Sequence, residues 1–373
     1  MPYRRERYCR TKHNSRAGGY NLKVIIPVAG TGKRLYPHTF TKPKPMVYIA
    51  GKPVIGHILD RMIDLKPEEI ILVVGYRKEQ IISYVDRNYS DIFKITYVEQ
   101  NHQLGLGHSI YVAKDAVGDS PIMITLGDMI FKAGYLDFYQ KHFNNGNCAG
   151  SIGVWEVDAP EKYGIVELDG ECISKMVEKP KYPMSNLGIA GVYFLKEPSV
   201  LFDILEKMVD EHTGNEIQLT DALQGMVSSG HRLKHFYVSS WYDCGHSTSL
   251  LETNRVLLDE SHEKNQCLDL SEVRAIDPCM VKEFNGNLNT KESVIIEPVS
   301  IGNGVIITNS VVGPHVSIAE NSNIDGSIVA NSIIGSGSAI KGVNLRSSII
   351  GDDVNVNSKH NSLNVGDSSS IEL

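Results

Sequence analysis

The chain has 373 residues, 42% of them hydrophobic, and a formal net charge of −7 at neutral pH. A chain of this length and composition can bury a large core and is long enough for two domains. Its net negative charge argues against a dedicated nucleic-acid binder, and no run approaches the roughly 18 apolar residues of a membrane span. The six cysteines form no Cys-x-x-Cys pair, which is typical of free thiols in a reducing compartment and predicts a cytoplasmic protein.

The first 20 residues, MPYRRERYCRTKHNSRAGGY, are basic and almost free of aliphatic side chains. Such a segment has little apolar surface with which to join a core, so residues 1–20 are predicted to form a disordered tail. The alternative interpretation is an arm that binds nucleic acid or a membrane surface.

Residues 23–53, KVIIPVAGTGKRLYPHTFTKPKPMVYIAGKP, join a short aliphatic run to a glycine loop. The run at 24–28 predicts a buried parallel strand, and the loop after it contains Ala29, Gly30 and Gly32. Glycines let several backbone N–H groups approach phosphate oxygens, and Lys33, Arg34, Lys42 and Lys44 follow closely. The segment therefore predicts a phosphate-binding loop, with an ordinary strand-to-helix turn and a solvated basic face as the alternative.

Two familiar phosphate loops do not fit this spacing. A Walker A loop is excluded because Pro27 and Arg34 occupy two of its required positions, and Leu35 stands where a dinucleotide fingerprint needs its third glycine. The run GxGxRLxP from Gly30, with KPM at Lys44 and GKP behind it, instead resembles the signature of the sugar-1-phosphate nucleotidylyltransferases. The resemblance covers residues 23–259 and includes thymidylyl and uridylyl members.

From residue 54 to 126, apolar runs alternate with amphipathic segments. This alternation predicts an α/β domain with a Rossmann-like, mixed and mostly parallel sheet, whose ligands collect at the carboxyl ends of the strands. Short alternating runs between residues 153 and 195 predict added strands that form a lid over the sheet. We expect this nucleotidyltransferase domain to occupy residues 21–260.

Residues 261–290 are polar and weakly patterned, and they predict a linker. Beyond it, aliphatic residues recur at every sixth position between Gly, Asn and Ser, as at Ile301/Ile307 and Ile334/Ile340. This spacing predicts a parallel β-helix over residues 291–373, and it resembles the left-handed β-helix of hexapeptide-repeat proteins. We expect a structural or oligomerising role in a homo-oligomer. The alternative is an acyltransferase, for which only His315 and His360 could act as bases, neither with a recognisable partner.

Two carboxylates follow predicted strands more than a hundred residues apart. Asp128 ends the strand at 121–126, and Asp243 lies in the motif Trp-Tyr-Asp-Cys-Gly. Either could simply cap a neighbouring element, but two carboxylates that share substrate phosphates suit Mg²⁺. The resemblance implies that these two aspartates bind the metal.

The remaining site residues are implied by the resemblance alone. The loop residues Ala29 and Gly30 would bind the nucleotide, Gln100 would read the base, and Gly105 would allow close approach of the ring. The sugar half of the site would be formed by Gly164, Glu178, Lys179, Ala190 and Gly191, with Glu178 on a sugar hydroxyl and Lys179 on the sugar phosphate.

The implied reaction joins a nucleoside triphosphate to a hexose 1-phosphate, giving a nucleoside diphosphate hexose and pyrophosphate. The attacking phosphate oxygen is already anionic, so catalysis reduces to positioning and charge neutralisation. Arg34 would grip the triphosphate, Lys44 would neutralise the α-phosphate region and Lys179 would hold the attacking phosphate, while Lys33 and Lys42 would be solvated. The motifs favour dTTP or UTP with glucose 1-phosphate; the alternatives are a GTP and mannose 1-phosphate enzyme and a non-catalytic regulatory subunit.

Overall fold

The computed structural model describes residues 20–143, 148–268 and 289–358. The predicted tail, up to residue 19, lies outside the described residues, as do most of the predicted linker and His360. No helix within the described ranges is long and apolar enough to cross a membrane.

The first half of the region predicted to be catalytic, residues 20–143, alternates strands with helices, as its apolar periodicity predicts. The elements in chain order are β1 (Tyr20–Pro27), β2 (Tyr48–Ile49), β3 (Lys52–Pro53), α1 (Val54–Asp60), β4 (Pro67–Val74), α2 (Lys78–Tyr89), β5 (Ile95–Glu99), α3 (Leu106–Tyr111), α4 (Lys114–Val117), β6 (Ile122–Thr125), β7 (Met129–Phe131) and α5 (Tyr135–Phe138). Short 3-10 turns at Lys33–Leu35 and Lys44–Met46 carry the basic residues of the opening loop.

The second half adds mostly strands. These elements are β8 (Gly150–Glu156), β9 (Gly164–Asp169), β10 (Cys172–Glu178), β11 (Leu187–Leu195), α6 (Ser199–Asp210), α7 (Leu219–Ser228), β12 (Leu233–Tyr237), β13 (Trp241–Asp243) and α8 (Ser247–Leu268). Helix α8 extends eight residues into the segment that the sequence predicts as a linker.

Nine strands of the described chain form one mixed sheet in the order β5-β4-β1-β6-β11-β8-β12-β10-β9. Strands β5, β4, β1 and β6 are parallel, and β11 joins this block antiparallel to β6. The predicted mixed α/β sheet is confirmed, but the predicted lid is wrong. Strand β11 is buried along nearly its whole length between β6 and β8, so these strands extend the sheet sideways and do not cover it.

Alternate residues of the central strand point into two separate cores. Val24 and Ile26 belong to the core on the side of α1 and α8, whereas Ile25 packs with α3, α6 and α7 on the opposite face. A central parallel strand needs apolar residues on both faces, which explains the uninterrupted run VII at its centre.

The C-terminal region consists of short strands in three parallel sheets of the described chain, consistent with a left-handed β-helix. The strands are β14 (Asn289–Lys291), β15 (Val294–Ile295), β16 (Val299–Ile301), β17 (Ile306–Thr308), β18 (Val311–Val312), β19 (Val316–Ile318), β20 (Asn323–Asp325), β21 (Ile328–Ala330), β22 (Ile333–Ile334), β23 (Ala339–Lys341), β24 (Asn344–Arg346), β25 (Ile349–Ile350) and β26 (Asn355–Asn357). The hexad positions Ile307, Val312, Ile318, Ile324, Ile334 and Ile340 form its buried ladder.

The coils are shorter than three full hexads. The first two coils, from Asn289 to Ile306 and from Ile306 to Asn323, each advance by 17 residues. The next two coils advance by 16 residues each. The missing one or two residues per coil explain why the hexad spacing breaks between sets in the sequence.

The β-helix packs on the catalytic region through the sheet of β16, β19, β22 and β25. Ile333 of β22 belongs to the main catalytic core. His315 bonds through Nε2 to Asp259 Oδ1 of α8 at 2.8 Å, so the expectation that His315 has no partner is wrong. This pair joins the two regions.

Candidate active site

The phosphate loop follows β1 and is held by bonds to its neighbours. Ala29 O accepts hydrogen bonds from Tyr76 N and from Gln103 Nε2, both at 3.1 Å. Gly32 has a φ of +66°, and an added Cβ would lie 2.9 Å from Cβ of Lys44. Glycine is therefore needed where the loop passes the lysine. Gly30 is exposed and open, with no atom within 4 Å of an added Cβ.

The two carboxylates meet because β7 and β13 form a two-stranded antiparallel ribbon. Asp243 pairs with Met129, the residue after Asp128, and Asp128 O accepts a hydrogen bond from Cys244 N at 3.0 Å. The Lys44 ammonium forms an ion pair with Asp128. The ribbon thus brings together two aspartates that are more than a hundred residues apart in the chain. Neither sequence motif by itself predicts this proximity.

The electrostatics of this pair favour a cation. Burial, and after it the negative charge of Asp128, raise the pKa of Asp243, while Lys44 and Arg34 act in the opposite direction. Two carboxylates close together create a negative electrostatic potential between them, which favours a bound cation. No group of three or more His, Cys, Asp or Glu side chains within the described ranges could hold a metal. A divalent ion here would therefore draw its other ligands from substrate phosphates and water, as Mg²⁺ commonly does.

A cavity of about 550 Å³ opens above the carboxyl ends of the parallel strands. The predicted residues in its lining are Ala29, Gly30, Arg34, Lys44, Gln100, Gly105 and Asp128. The cavity therefore brings cations, one carboxylate and the residues predicted to bind the base into one lining.

Gln100 is buried, and its side-chain amide is oriented by two neighbours. Its Nε2 donates to Gly105 O at 3.2 Å and contacts His108 Nδ1 at 3.0 Å. Burial lowers the pKa of His108, which favours the neutral ring whose Nδ1 can accept from Gln100. The amide nitrogen of Gln100 is thus engaged by two groups of the protein.

The predicted sugar-binding residues lie on the same sheet edge but outside the cavity lining. Glu178 accepts a hydrogen bond from the Thr220 hydroxyl at 2.7 Å, and an added Cβ on Gly164 would lie 3.0 Å from Glu178 Oε2. Lys179 is 59% exposed and pairs with Glu178 at 3.3 Å. Its ammonium is therefore largely accessible to solvent.

Tyr163 and Gly191 connect the two groups of residues. Burial and the charge of Asp243 raise the pKa of Tyr163, and Arg34 lowers it, so this ring lies within the field of the carboxylate pair. Gly191 O accepts a hydrogen bond from Leu126 N at 3.1 Å. Ala190, beside it, is fully buried. These contacts bring Gly191 close to the loop that carries Asp128, and Tyr163 close to Asp243.

Three further residues line or contact the site, and of these only His246 lies outside the motifs that the sequence predicts to form it. Arg34 Nη1 lies 3.3 Å from Nε2 of His246. Glu216 and Ser109 line the cavity, and the buried Ser109 hydroxyl has no hydrogen-bond partner among the described residues. His246 follows the Asp-Cys-Gly motif by one residue, which is the only sequence signal that could have found it.

Lys42 is not solvated, contrary to the prediction, because it forms an ion pair with Asp352 of the β-helix and is 17% exposed. Lys33 is exposed, as expected. The sequence could not have paired residues that are 310 positions apart.

A phosphate loop, two facing carboxylates and a cavity at the carboxyl edge of a mixed sheet define a nucleotide-binding transferase site. The nucleotidyl transferase family profile matches residues 23–260. The chain is 31% identical over 362 residues to the low-salt glycan biosynthesis nucleotidyltransferase Agl11 of Haloferax volcanii, covering 94% of this chain and 100% of the relative. It is 30% identical to a glucose-1-phosphate thymidylyltransferase of Streptomyces griseus, covering 90% and 94%.

Among solved structures, UDP-glucose pyrophosphorylase complexed with UDP-glucose superposes with a TM-score of 0.53 at 29% identity, covering 65% of this chain and 98% of that chain. The chain belongs to the nucleotidyl transferase family, and it is a sugar-1-phosphate nucleotidyltransferase by its relatives and structural neighbours. The predicted family and reaction class are confirmed.

Proposed function

We propose that this enzyme joins dTTP or UTP to glucose 1-phosphate, releasing pyrophosphate. The observation that carries this proposal is the meeting of Asp128 and Asp243 beside Lys44 and Arg34 at the mouth of the phosphate loop. Relatives named glucose-1-phosphate thymidylyltransferase and a structure with UDP-glucose support the two nucleotides. A GTP and mannose 1-phosphate enzyme remains the alternative.

The base preference is argued from Gln100. Because its N–H groups are engaged by Gly105 and His108, its free oxygen would accept from a ring N–H. Thymine, uracil and guanine carry such a donor, whereas adenine and cytosine do not. We propose that Gln100 recognises the first three bases through this ring N–H; adenine and cytosine could offer it only an exocyclic amino group. The buried Ser109 hydroxyl is a further group that a bound base could satisfy.

In the proposed mechanism, side chains hold two anions together. Arg34 binds the triphosphate, Lys44 neutralises charge at the α-phosphate, and Lys179 draws the sugar phosphate toward it. The oxygen that attacks the α-phosphorus is already anionic, so no general base is required and pyrophosphate leaves as an anion. A divalent metal, Mg²⁺ by its oxygen preference, would be held by Asp128 and Asp243 and would supply charge neutralisation between the two substrates.

The proposed reaction assigns different roles to the two regions of the chain. Residues 21–260 carry the proposed catalytic residues, and the β-helix from residue 291 carries none of them. We propose a homo-oligomer in which the β-helix provides contacts between copies, in a cytoplasmic enzyme. The column Val294, Val311 and Ile328 supports this role, because these residues stack on adjacent coils and the outer two are about half exposed.

The test is pyrophosphate release from five nucleoside triphosphates, each combined with glucose, mannose, galactose and N-acetylglucosamine 1-phosphates. We expect the highest kcat/KM for dTTP or UTP with glucose 1-phosphate. A best pair of GTP with mannose 1-phosphate would establish the alternative. Tight triphosphate binding without pyrophosphate release from any pair would establish the non-catalytic regulatory subunit.

Lys179→Ala tests the sugar half separately. We expect a KM for sugar phosphate raised by at least 10-fold, a loss of about 1.4 kcal/mol or more, with little change in the KM for the triphosphate. Lys181→Ala is the matched control, since Lys181 lies two residues further on and contacts the Tyr182 ring. Equal KM values in both variants would remove Lys179 from the site.

A further inference from the structure

The segment that carries Lys44, residues 42–52, is attached to the β-helix at both ends. At its start, Lys42 forms an ion pair with Asp352, and the two side chains are only 17% and 31% exposed. Asp352 is itself held in place, because its Oδ1 accepts a hydrogen bond from Ser336 N at 3.0 Å. The cation is therefore anchored to a fixed point of the β-helix.

The other end of the segment is the tight turn between β2 and β3. Ala50 N donates to Asn254 Oδ1 at 2.9 Å and contacts Ser317 Oγ at 3.1 Å. Gly51 lies so close to the β-helix that an added Cβ would be 2.9 Å from Ser300 Oγ. A residue of α8 and two residues of the β-helix thus fix this turn.

Lys44 lies between these two attachment points in a stiff stretch of chain. Pro43 and Pro45 flank it, both are buried, and their rings restrict the backbone φ angle. The Lys44 ammonium is paired with Asp128. A displacement of Lys42 would therefore be transmitted to Lys44 with little loss, because few backbone torsions between them can absorb it.

We propose that the β-helix positions Lys44 in the active site through the Lys42–Asp352 ion pair. Lys42 and Asp352 are positioning residues: neither lines the cavity, and both act through Lys44. This inference rests on the proposed role of Lys44 in neutralising the α-phosphate. It gives the β-helix a part in catalysis in addition to its proposed part in assembly.

The Lys42–Asp352 ion pair differs from the other contacts between the two regions because it lies close to the active site. The attachment of the β-helix to the catalytic region also rests on Ile333 in the main core and on the bond between His315 and Asp259. The Lys42–Asp352 pair is not needed to hold the two regions together. Its distinctive property is that it lies two residues from a side chain that contacts Asp128.

The experiment compares steady-state kinetics of the full chain carrying Lys42→Met, Asp352→Asn, or the exchanged pair Lys42→Asp with Asp352→Lys. The matched control is Lys341→Met, which removes an ion pair to Asp325 of 3.5 Å on a different face of the β-helix. We expect each neutral variant to lower kcat by about 10-fold, with the KM for sugar phosphate within about twofold and a melting temperature close to that of the control. The exchanged pair restores the opposite charges but loses the hydrogen bond from Ser336 N, so it should recover part of kcat.

Two results would overturn the inference. One is a kcat for Lys42→Met and Asp352→Asn equal to that of Lys341→Met. The other is a loss of kcat in the neutral variants accompanied by a melting temperature well below that of the control, since a structural defect alone would then account for it. Lys44→Ala separates this failure from failure of the proposed function: wild-type turnover in Lys44→Ala would reject the role of Lys44 itself, whereas loss of turnover in Lys44→Ala alone would reject only the role of the β-helix.

Discussion

At the scale of single residues, Asp243 combines its proposed metal-binding role with a cost to folding. Burial and Asp128 raise its pKa in the folded protein, so the folded state binds a proton there more tightly than the unfolded state does. Ionised Asp243 consequently destabilises the fold at neutral pH, and this penalty disappears as the pH falls through the folded-state pKa. A cation between the two aspartates would remove the same penalty.

Asp243→Asn is therefore predicted to lower turnover by several orders of magnitude while raising the melting temperature at pH 7. Asparagine keeps an oxygen that can accept the hydrogen bond from Gly245 N, which Asp243 Oδ1 accepts at 2.6 Å. Asp128→Asn is the matched comparison and should not stabilise, because it breaks the ion pair with Lys44. Calorimetry with and without Mg²⁺ checks this: Mg²⁺ should stabilise the wild type but not Asp243→Asn, and equal stabilisation of both would contradict the metal site.

His57 gives the fold a predicted sensitivity to acid. The ring is fully enclosed and contacts Ile49 O through Nε2 at 2.9 Å, and burial lowers the pKa of His57 to about 3. In the unfolded chain His57 is therefore protonated as the pH falls below about 6.5, whereas in the folded chain it stays neutral until the pH approaches 3. Stability contributed by neutral His57 is present above pH 6.5 and is lost as the pH falls toward 3, at about 1.4 kcal/mol per pH unit.

His57→Gln should remove much of this dependence, since glutamine can also donate to Ile49 O without titrating. Urea unfolding at pH 6.5 and pH 5 should show a loss of stability about 2 kcal/mol smaller in the variant than in the wild type. His102→Gln serves as the control because His102 is exposed. If all three proteins lose the same free energy, His57 does not carry the acid sensitivity.

At the scale of elements, the irregular centre of β11 adjusts the loop that holds Asp128. The pairing of β11 with β8 shifts between Ile189 and Tyr193, and Gly191 within this bulge has a φ of +74°. An added Cβ there would lie 2.9 Å from Leu126 Cδ1. Leu126 stands two residues before Asp128. The glycine therefore allows the bulge to pack against the loop that carries Asp128.

Gly191→Ala is predicted to lower both stability and turnover, by roughly 1–3 kcal/mol for the strained backbone and by a further loss of kcat from the displaced Leu126. Gly170→Ala is the matched control, because Gly170 has a φ of +60° but no atom within 4 Å of an added Cβ. Chemical unfolding and kinetics on both variants separate the two causes. A kcat for Gly191→Ala as high as that of Gly170→Ala would mean that the bulge does not influence the site.

At the scale of the whole molecule, the two regions share one apolar core. Ile333 lies in the β-helix but is buried in the catalytic core at 2% exposure, and Ile349 packs beside it. Helix α8 contributes the polar part of the same junction through Asn254 and Asp259. Unfolding of either region therefore exposes apolar surface of the other.

Ile333→Ala is predicted to cost about 2–4 kcal/mol and to separate one calorimetric transition into two. Ile340→Ala should cost a similar amount without separating them, because Ile340 is buried inside the β-helix at 1% exposure. Differential scanning calorimetry of the two variants checks this. Two transitions already present in the wild type would contradict the shared core.

The parts of the fold that the sequence predicts well are those with local signals. The buried run at 24–28, the glycine loop after it and the hexads of the β-helix each reflect a periodicity set by backbone geometry. The lid was mispredicted because alternating runs such as β9 and β10 look alike whether they cover a sheet or lie at its edge. The order of strands in a sheet depends on which strands pair, and the apolar pattern of one strand does not specify which other strand it pairs with.

The same division holds within the site. The sequence alone indicated the glycine loop of Gly30 and Arg34, the two aspartates as candidate site residues and the family of the chain, because each lies in a contiguous motif. Only the tertiary structure decided that β13 pairs with β7 and so brings Asp243 close to Asp128, that His246 approaches Arg34, and that Lys42 is bound by Asp352. These contacts join residues far apart in the chain, and their existence depends on how the sheet, α8 and the β-helix pack together, which no local pattern of residues specifies.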